Sequence, residues 1–130
     1  QKDLLLGDMP SNIKMVYDGI GHNLLLDTSV VVGFNTTAVF EAIASGCEVV
    51  SPELLLEVPD SLKNFILYLG DAAYLPRNSN EFQDTVLDLL EANKFNKNLS
   101  SSKKKLLDDA LGNSDGNAGK RTMELIEDNI

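Results

Sequence analysis

A chain of 130 residues is the usual size of one domain, and 43% hydrophobic with 24% charged residues is enough to bury a core. The net charge of −9 argues against phosphate-backbone binding, and the 6% aromatic content, with no Trp, against a stacking platform, so no nucleic-acid partner is expected. One cysteine, Cys47, leaves no intrachain disulfide and fits a reducing, cytoplasmic setting, and no apolar run approaches the roughly 20 residues of a membrane helix.

The chain opens mid-pattern on Lys2-Asp3-Leu4-Leu5-Leu6 and reads as one Rossmann-like domain, 1–130, taken from a longer two-domain protein. Pro10-Ser11-Asn12 signals a loop. Ile13 to Tyr17 predicts a short strand, and His22 to Asp27 a short helix that sets Leu24, Leu25 and Leu26 against a core. Ser29-Val30-Val31-Val32-Gly33 is a continuous β-branched run, expected of a central parallel strand covered on both faces. Asn35 or Thr36 is placed to cap a helix running to about Ser45, with Ala38, Val39, Ala42 and Ile43 as its apolar stripe. Gly46 ends that helix as a C′ residue, and Glu48-Val49-Val50 is the next strand, which completes one βαβ unit.

Ser51 to Ser61 reads as a loop, with a helical turn at Leu54 to Leu56. Phe65 to Leu69 is a short strand or helix, and Ala72 to Leu75 a strand ended by Pro76. Asn80 to Ala92 predicts an amphipathic helix capped by Ser79, with Phe82, Val86, Leu89 and Leu90 on one face. The polar stretch 93–105 reads as a linker before C-terminal helices. Its Lys103-Lys104-Lys105 is a solvated helix face on the plain reading and a peripheral contact with acidic lipid on the other. Leu106, Leu107 and Leu111 mark a short helix, Gly112 to Gly116 a turn, and Ala118 to Ile130 a last helix with Met123, Ile126 and Ile130 inward. Alternating strands and helices give an α/β fold with a parallel sheet flanked by helices.

The chemistry concentrates on Gly33-Phe34-Asn35-Thr36-Thr37 and Glu41. In an open α/β sheet ligands bind beyond the carboxyl ends of the strands, and the helix that starts there offers free N–H groups. Asn35, Thr36 and Thr37 add an amide and two hydroxyls at that spot, and Gly33 lets the backbone approach a phosphate or diphosphate. Glu41 lies about one turn further on, where a carboxylate accepts hydrogen bonds from two ribose hydroxyls. Ser51 follows the next strand at the same edge. The plain alternatives are helix capping for the threonines, a solvent-facing side chain for Glu41 and a turn for Ser51. His22 is either a phosphate contact or an acid in the loop after the first strand, or a surface histidine. One His and one Cys supply too few soft ligands for a metal site, and no cofactor is expected.

The segment Val30 to Val50, VVVGFNTTAVFEAIASGCEVV, resembles the donor-binding βαβ unit of GT-B glycosyltransferases, most closely those of bacterial surface and capsular polysaccharide assembly. Asp115-Gly116-Asn117-Ala118-Gly119-Lys120-Arg121 is similar to the Asp-Gly lead-in to the last helix of such proteins. The resemblance implies a Rossmann-like half of a GT-B architecture that binds a UDP-, CDP- or CMP-linked sugar, with Glu41 on the ribose. It also implies an N-terminal acceptor domain that carries the catalytic base, so no catalytic residue is assigned here. Cys47-Glu48 departs from the family's basic-residue and proline step, and no second glutamate stands at the spacing of the two-glutamate signature. The rival readings are a glycerol-phosphate transferase or sugar 2-epimerase of the same architecture, and a non-enzymatic flavodoxin-like binding domain.

Overall fold

The computed structural model describes residues 11–16, 21–53, 59, 61, 65–92, 98–112 and 115–128. In chain order its elements are α1 (Gly21–Leu25), β1 (Val30–Val32), α2 (Ala38–Ala44), β2 (Glu48–Val50), a 3-10 turn (Gly70–Ala72), α3 (Ser79–Ala92), α4 (Ser101–Leu111) and α5 (Ala118–Glu127). The architecture is α/β. Strands β1 and β2 are parallel, with Val30, Val31 and Val32 opposite Glu48, Val49 and Val50.

The βαβ unit follows from local chemistry. Helix α2 ends because Gly46 takes the left-handed conformation (φ 78°), which costs a residue with a Cβ more than it costs glycine. The Gly46 N–H donates to the Ile43 carbonyl at 3.0 Å and the Cys47 N–H to the Ala42 carbonyl at 3.0 Å, the paired bonds of a Schellman ending. That turn delivers Cys47 into the core and starts β2. Val39, Ala42 and Ile43 of α2 pack with Cys47, Val49, Leu69, Ala72 and, from α4, Leu107. Ala38, expected in the stripe, is exposed. Helix α3 packs against both strands.

A third strand starts beside β2 and stops. The Tyr74 N–H donates to the Val49 carbonyl, the Ser51 N–H to the Tyr74 carbonyl and the Glu53 N–H to the Pro76 carbonyl, each at 2.8 Å. A parallel ladder needs one more bond, from the N–H of residue 76 to Ser51, and proline has no N–H to give. The strand expected over Ala72 to Leu75 is therefore reduced to a single parallel bridge, Val50 to Tyr74, with its first residue taken into the 3-10 turn.

Other expectations are corrected. No strand forms over 13–16, where Ile13, Met15 and Val16 are 45–49% exposed; β-branched residues favour strands only when a neighbour and a buried face are supplied. Tyr17 lies outside the described residues, as do Leu54 to Leu56 and Ile130. Val32 is 51% exposed, so β1 is not buried along its whole length. Of the three leucines expected inward, Leu25 of α1 packs on the core, while Leu24 and Leu26, the latter just past the end of the helix, are exposed. Phe65 to Leu69 is neither strand nor helix; Leu69 alone of that run is buried. The cap of α3 is Asn78, whose Oδ1 accepts the Glu81 N–H at 2.9 Å, and Ser79 is already helical. Glu81 reaches back past the cap to accept the Arg77 N–H at 2.8 Å.

Helix α5 does not turn Met123 and Ile126 inward: they are 56% and 48% exposed, and no residue of α5 is buried. Its start is held instead by Asp115, which accepts the Asn117 N–H at 2.9 Å and the Arg121 guanidinium at 2.9 Å. These bonds, the backbone one foremost, lower the carboxyl from its ordinary 3.8 to about 2. A carboxyl depressed on folding stabilises the fold above its unfolded pKa, and that contribution disappears as pH falls from there through about 2. A carboxyl NMR titration is expected to find this value. In Arg121→Met it should rise yet stay below the ordinary value, because the Asn117 bond remains; a return to the ordinary value would assign the whole effect to Arg121.

Candidate functional site

The turn between β1 and α2 is built by Gly33 and Asn35. The Gly33 N–H donates to the Val50 carbonyl at 3.1 Å, extending the β1–β2 ladder by one bond. A Cβ on Gly33 would lie 2.9 Å from Cγ1 of Val39, itself 1% exposed and unable to yield. The glycine is thus required where helix meets strand, a packing reason in addition to ligand approach. Gly33→Ala is expected to destabilise the chain by about 1–3 kcal/mol through this overpacking, read as a lower urea midpoint. An unchanged midpoint would show that α2 shifts freely.

Asn35 is left-handed (φ 45°), a conformation in which its short amide side chain is tolerated. Its Oδ1 accepts the Leu67 N–H at 3.0 Å and fastens the turn to the segment 32 residues on. The cap position of α2 is Thr37, which makes no side-chain cap bond, so neither Asn35 nor Thr36 is the cap. Thr36 Oγ1 accepts the Ala38 N–H at a long 3.4 Å. The threonine pair and Glu41 are exposed, with Glu41 in the first turn of α2. Ser51 is buried (8% exposed) and pairs through its N–H with Tyr74. Because Val32 stands opposite Val50, Gly33 and Ser51 leave the two parallel strands side by side at their carboxyl ends. The turn, the start of α2 and Ser51 therefore share one edge. The His22 side chain lies outside the described residues.

Sequence reasoning missed a second polar centre. Lys103 is not a solvated lysine: it is 7% exposed, and its Nζ donates to the Cys47 carbonyl at 3.1 Å and to Glu48 Oε2 at 2.9 Å. Lys104 and Lys105 are exposed as expected. The available signal was register, since Lys103 lies three and four residues before Leu106 and Leu107 and so shares their buried face. Glu48, at the start of β2, is the anion that this lysine meets. Among the described residues no cluster of His, Cys, Asp and Glu is arranged to hold a metal ion, and no helix is long and apolar enough to cross a membrane.

Compared with known proteins, the chain matches no family model, no curated protein and no solved structure.

Proposed function

We propose that the chain is the nucleotide-sugar-binding, Rossmann-like half of a GT-B-type glycosyltransferase of surface polysaccharide assembly. The observation that carries the reading is the shared edge: in a parallel βαβ unit the turn Gly33 to Thr37 and the residue Ser51 meet beyond the carboxyl ends of β1 and β2, where α/β sheets bind their ligands. The backbone N–H groups of Thr36 and Thr37 are not taken by protein acceptors among the described residues, which suits them to a phosphate oxygen. In this reading the threonine hydroxyls complete the phosphate contact, Glu41 accepts from the ribose hydroxyls, and Ser51 lies toward the sugar. The donor is a UDP-, CDP- or CMP-linked sugar, and the acceptor is held by another domain.

Calorimetric titration with UDP, CDP and CMP tests the proposal. Thr36→Ala combined with Thr37→Ala is expected to weaken binding by about 1–3 kcal/mol, the loss of hydrogen bonds to a charged group. Glu41→Gln removes the charge that strengthens both ribose bonds, and should cost about 1–2 kcal/mol for a ribonucleotide. The wild type should bind the 2′-deoxy ligand less well, and Glu41→Gln should show a smaller deoxy penalty. Equal ribo/deoxy discrimination in both proteins would remove Glu41 from the ribose, and no binding of any of the three nucleotides would remove the reading.

A further inference from the structure

At the start of β2, at the opposite end of that strand from Ser51, a cleft of about 320 Å³ is lined by Glu48, Asp71, Tyr74, Asn98, Ser100 and Lys103. Its wall holds an ammonium with its side chain only 9% exposed. Two of the three Lys103 protons have acceptors, Cys47 O and Glu48 Oε2, and the third has none among the described residues. Glu48 commits one carboxylate oxygen to Lys103, which leaves an acceptor beside that donor. Burial first, and the Glu48 charge second, raise the Tyr74 phenol above its ordinary value, so it stays a neutral hydroxyl across physiological pH.

These groups select a ligand class. An anion would meet the carboxylates of Glu48 and Asp71 in a chain of net charge −9. A cation would meet the buried ammonium, which already neutralises Glu48, and would have Asp71 alone of the lining carboxylates to balance it. A hydroxyl group is both donor and acceptor, and several of them on one ring satisfy neighbouring N–H and carboxylate groups without adding charge. The volume stands at the lower end of ligand cavities and suits one ring, not a nucleotide. Tyr74, a residue 42% exposed, lines the cleft with a ring whose apolar face suits ring C–H groups.

We propose that this cleft is a second ligand site, which takes an uncharged polyhydroxylated molecule of single-ring size held by Lys103, Glu48 and Tyr74. It is independent of the nucleotide reading, since it uses none of the residues from Gly33 to Glu41.

The test is an amide NMR titration of the full chain with methyl glucoside and with myo-inositol, and with inorganic phosphate and methylamine at matched ionic strength. The expected result is a saturable shift of the amides of residues 72–74 and 100–103 with at least one polyol and with neither charged probe. Tyr74→Ala, at a half-exposed position, should weaken that binding about tenfold or more, and Tyr74→Phe less, because it keeps the ring. Thr36→Ala with Thr37→Ala should leave it unchanged. No saturable shift with either polyol, stronger binding of phosphate or methylamine read at those same amides of 72–74 and 100–103, or full affinity in Tyr74→Ala would each overturn the proposal.

Discussion

Lys103→Ala is expected to lower stability by about 2–4 kcal/mol, with urea denaturation as the measurement. The residue sits on the buried face of α4, and its ammonium bridges the last residue before β2 and the first residue within it. Truncation leaves the partly buried Glu48 carboxylate without its counter-ion, and strips the core of the lysine stem. Glu48 keeps 24% of its side chain exposed, so water recovers part of the loss and the effect falls short of a fully enclosed pair. Lys103→Met keeps the stem and isolates the charge. Lys103→Met with Glu48→Leu should regain most of the loss, because an apolar pair of similar volume replaces a buried ion pair at little cost. An effect of Lys103→Ala below about 0.5 kcal/mol, typical of surface lysines, would show that the pair is not formed in solution.

Ile43→Ala should cost about 2–5 kcal/mol. The side chain is fully buried among Val39, Val49 and Leu107, where strand, connecting helix and α4 converge. Removing three carbons there loses transfer free energy and leaves a cavity that neither the Schellman turn nor the paired strands can close by moving. Since a domain of this size is stable by only about 5–15 kcal/mol, much of the folded population is at stake at elevated temperature. Leu90→Ala on α3, at a position 53% exposed, is the matched control and should stay within about 0.5 kcal/mol. Equal effects of the two substitutions would place the core elsewhere.

The βαβ unit was readable because each of its signals is local. Three valines make a strand, the spacing of Val39, Ala42 and Ile43 makes a buried stripe, and Gly46 makes the stop. What escaped reading depends on partners distant in the chain. Ile13 to Val16 has strand-like composition, yet composition supplies no neighbouring strand. The apolar face of α5 reads as inward, but a helix buries a face only against a surface that the tertiary fold provides. Lys103 reads as solvated because a charge run usually is; its acceptor lies 55 residues earlier. The place of the candidate edge was legible in outline, as Gly33 and Ser51 each follow the carboxyl end of one of the paired strands. The bond from Leu67 to Asn35 was not, since nothing local marks residue 67 as its partner.

The position of Cys47 has a practical corollary. The residue is 1% exposed at the corner between α2 and β2, its sulfur within hydrogen-bonding range of the Thr28 carbonyl at 3.3 Å. A thiol reagent in bulk solution reaches that sulfur only when the corner opens, so the labelling rate under native conditions counts openings of the core. As the chain has a single thiol and no Trp, the natural sequence carries its own site-specific clock. Any ligand that favours the closed βαβ unit must slow it in proportion to its occupancy, without a fluorophore or an engineered probe.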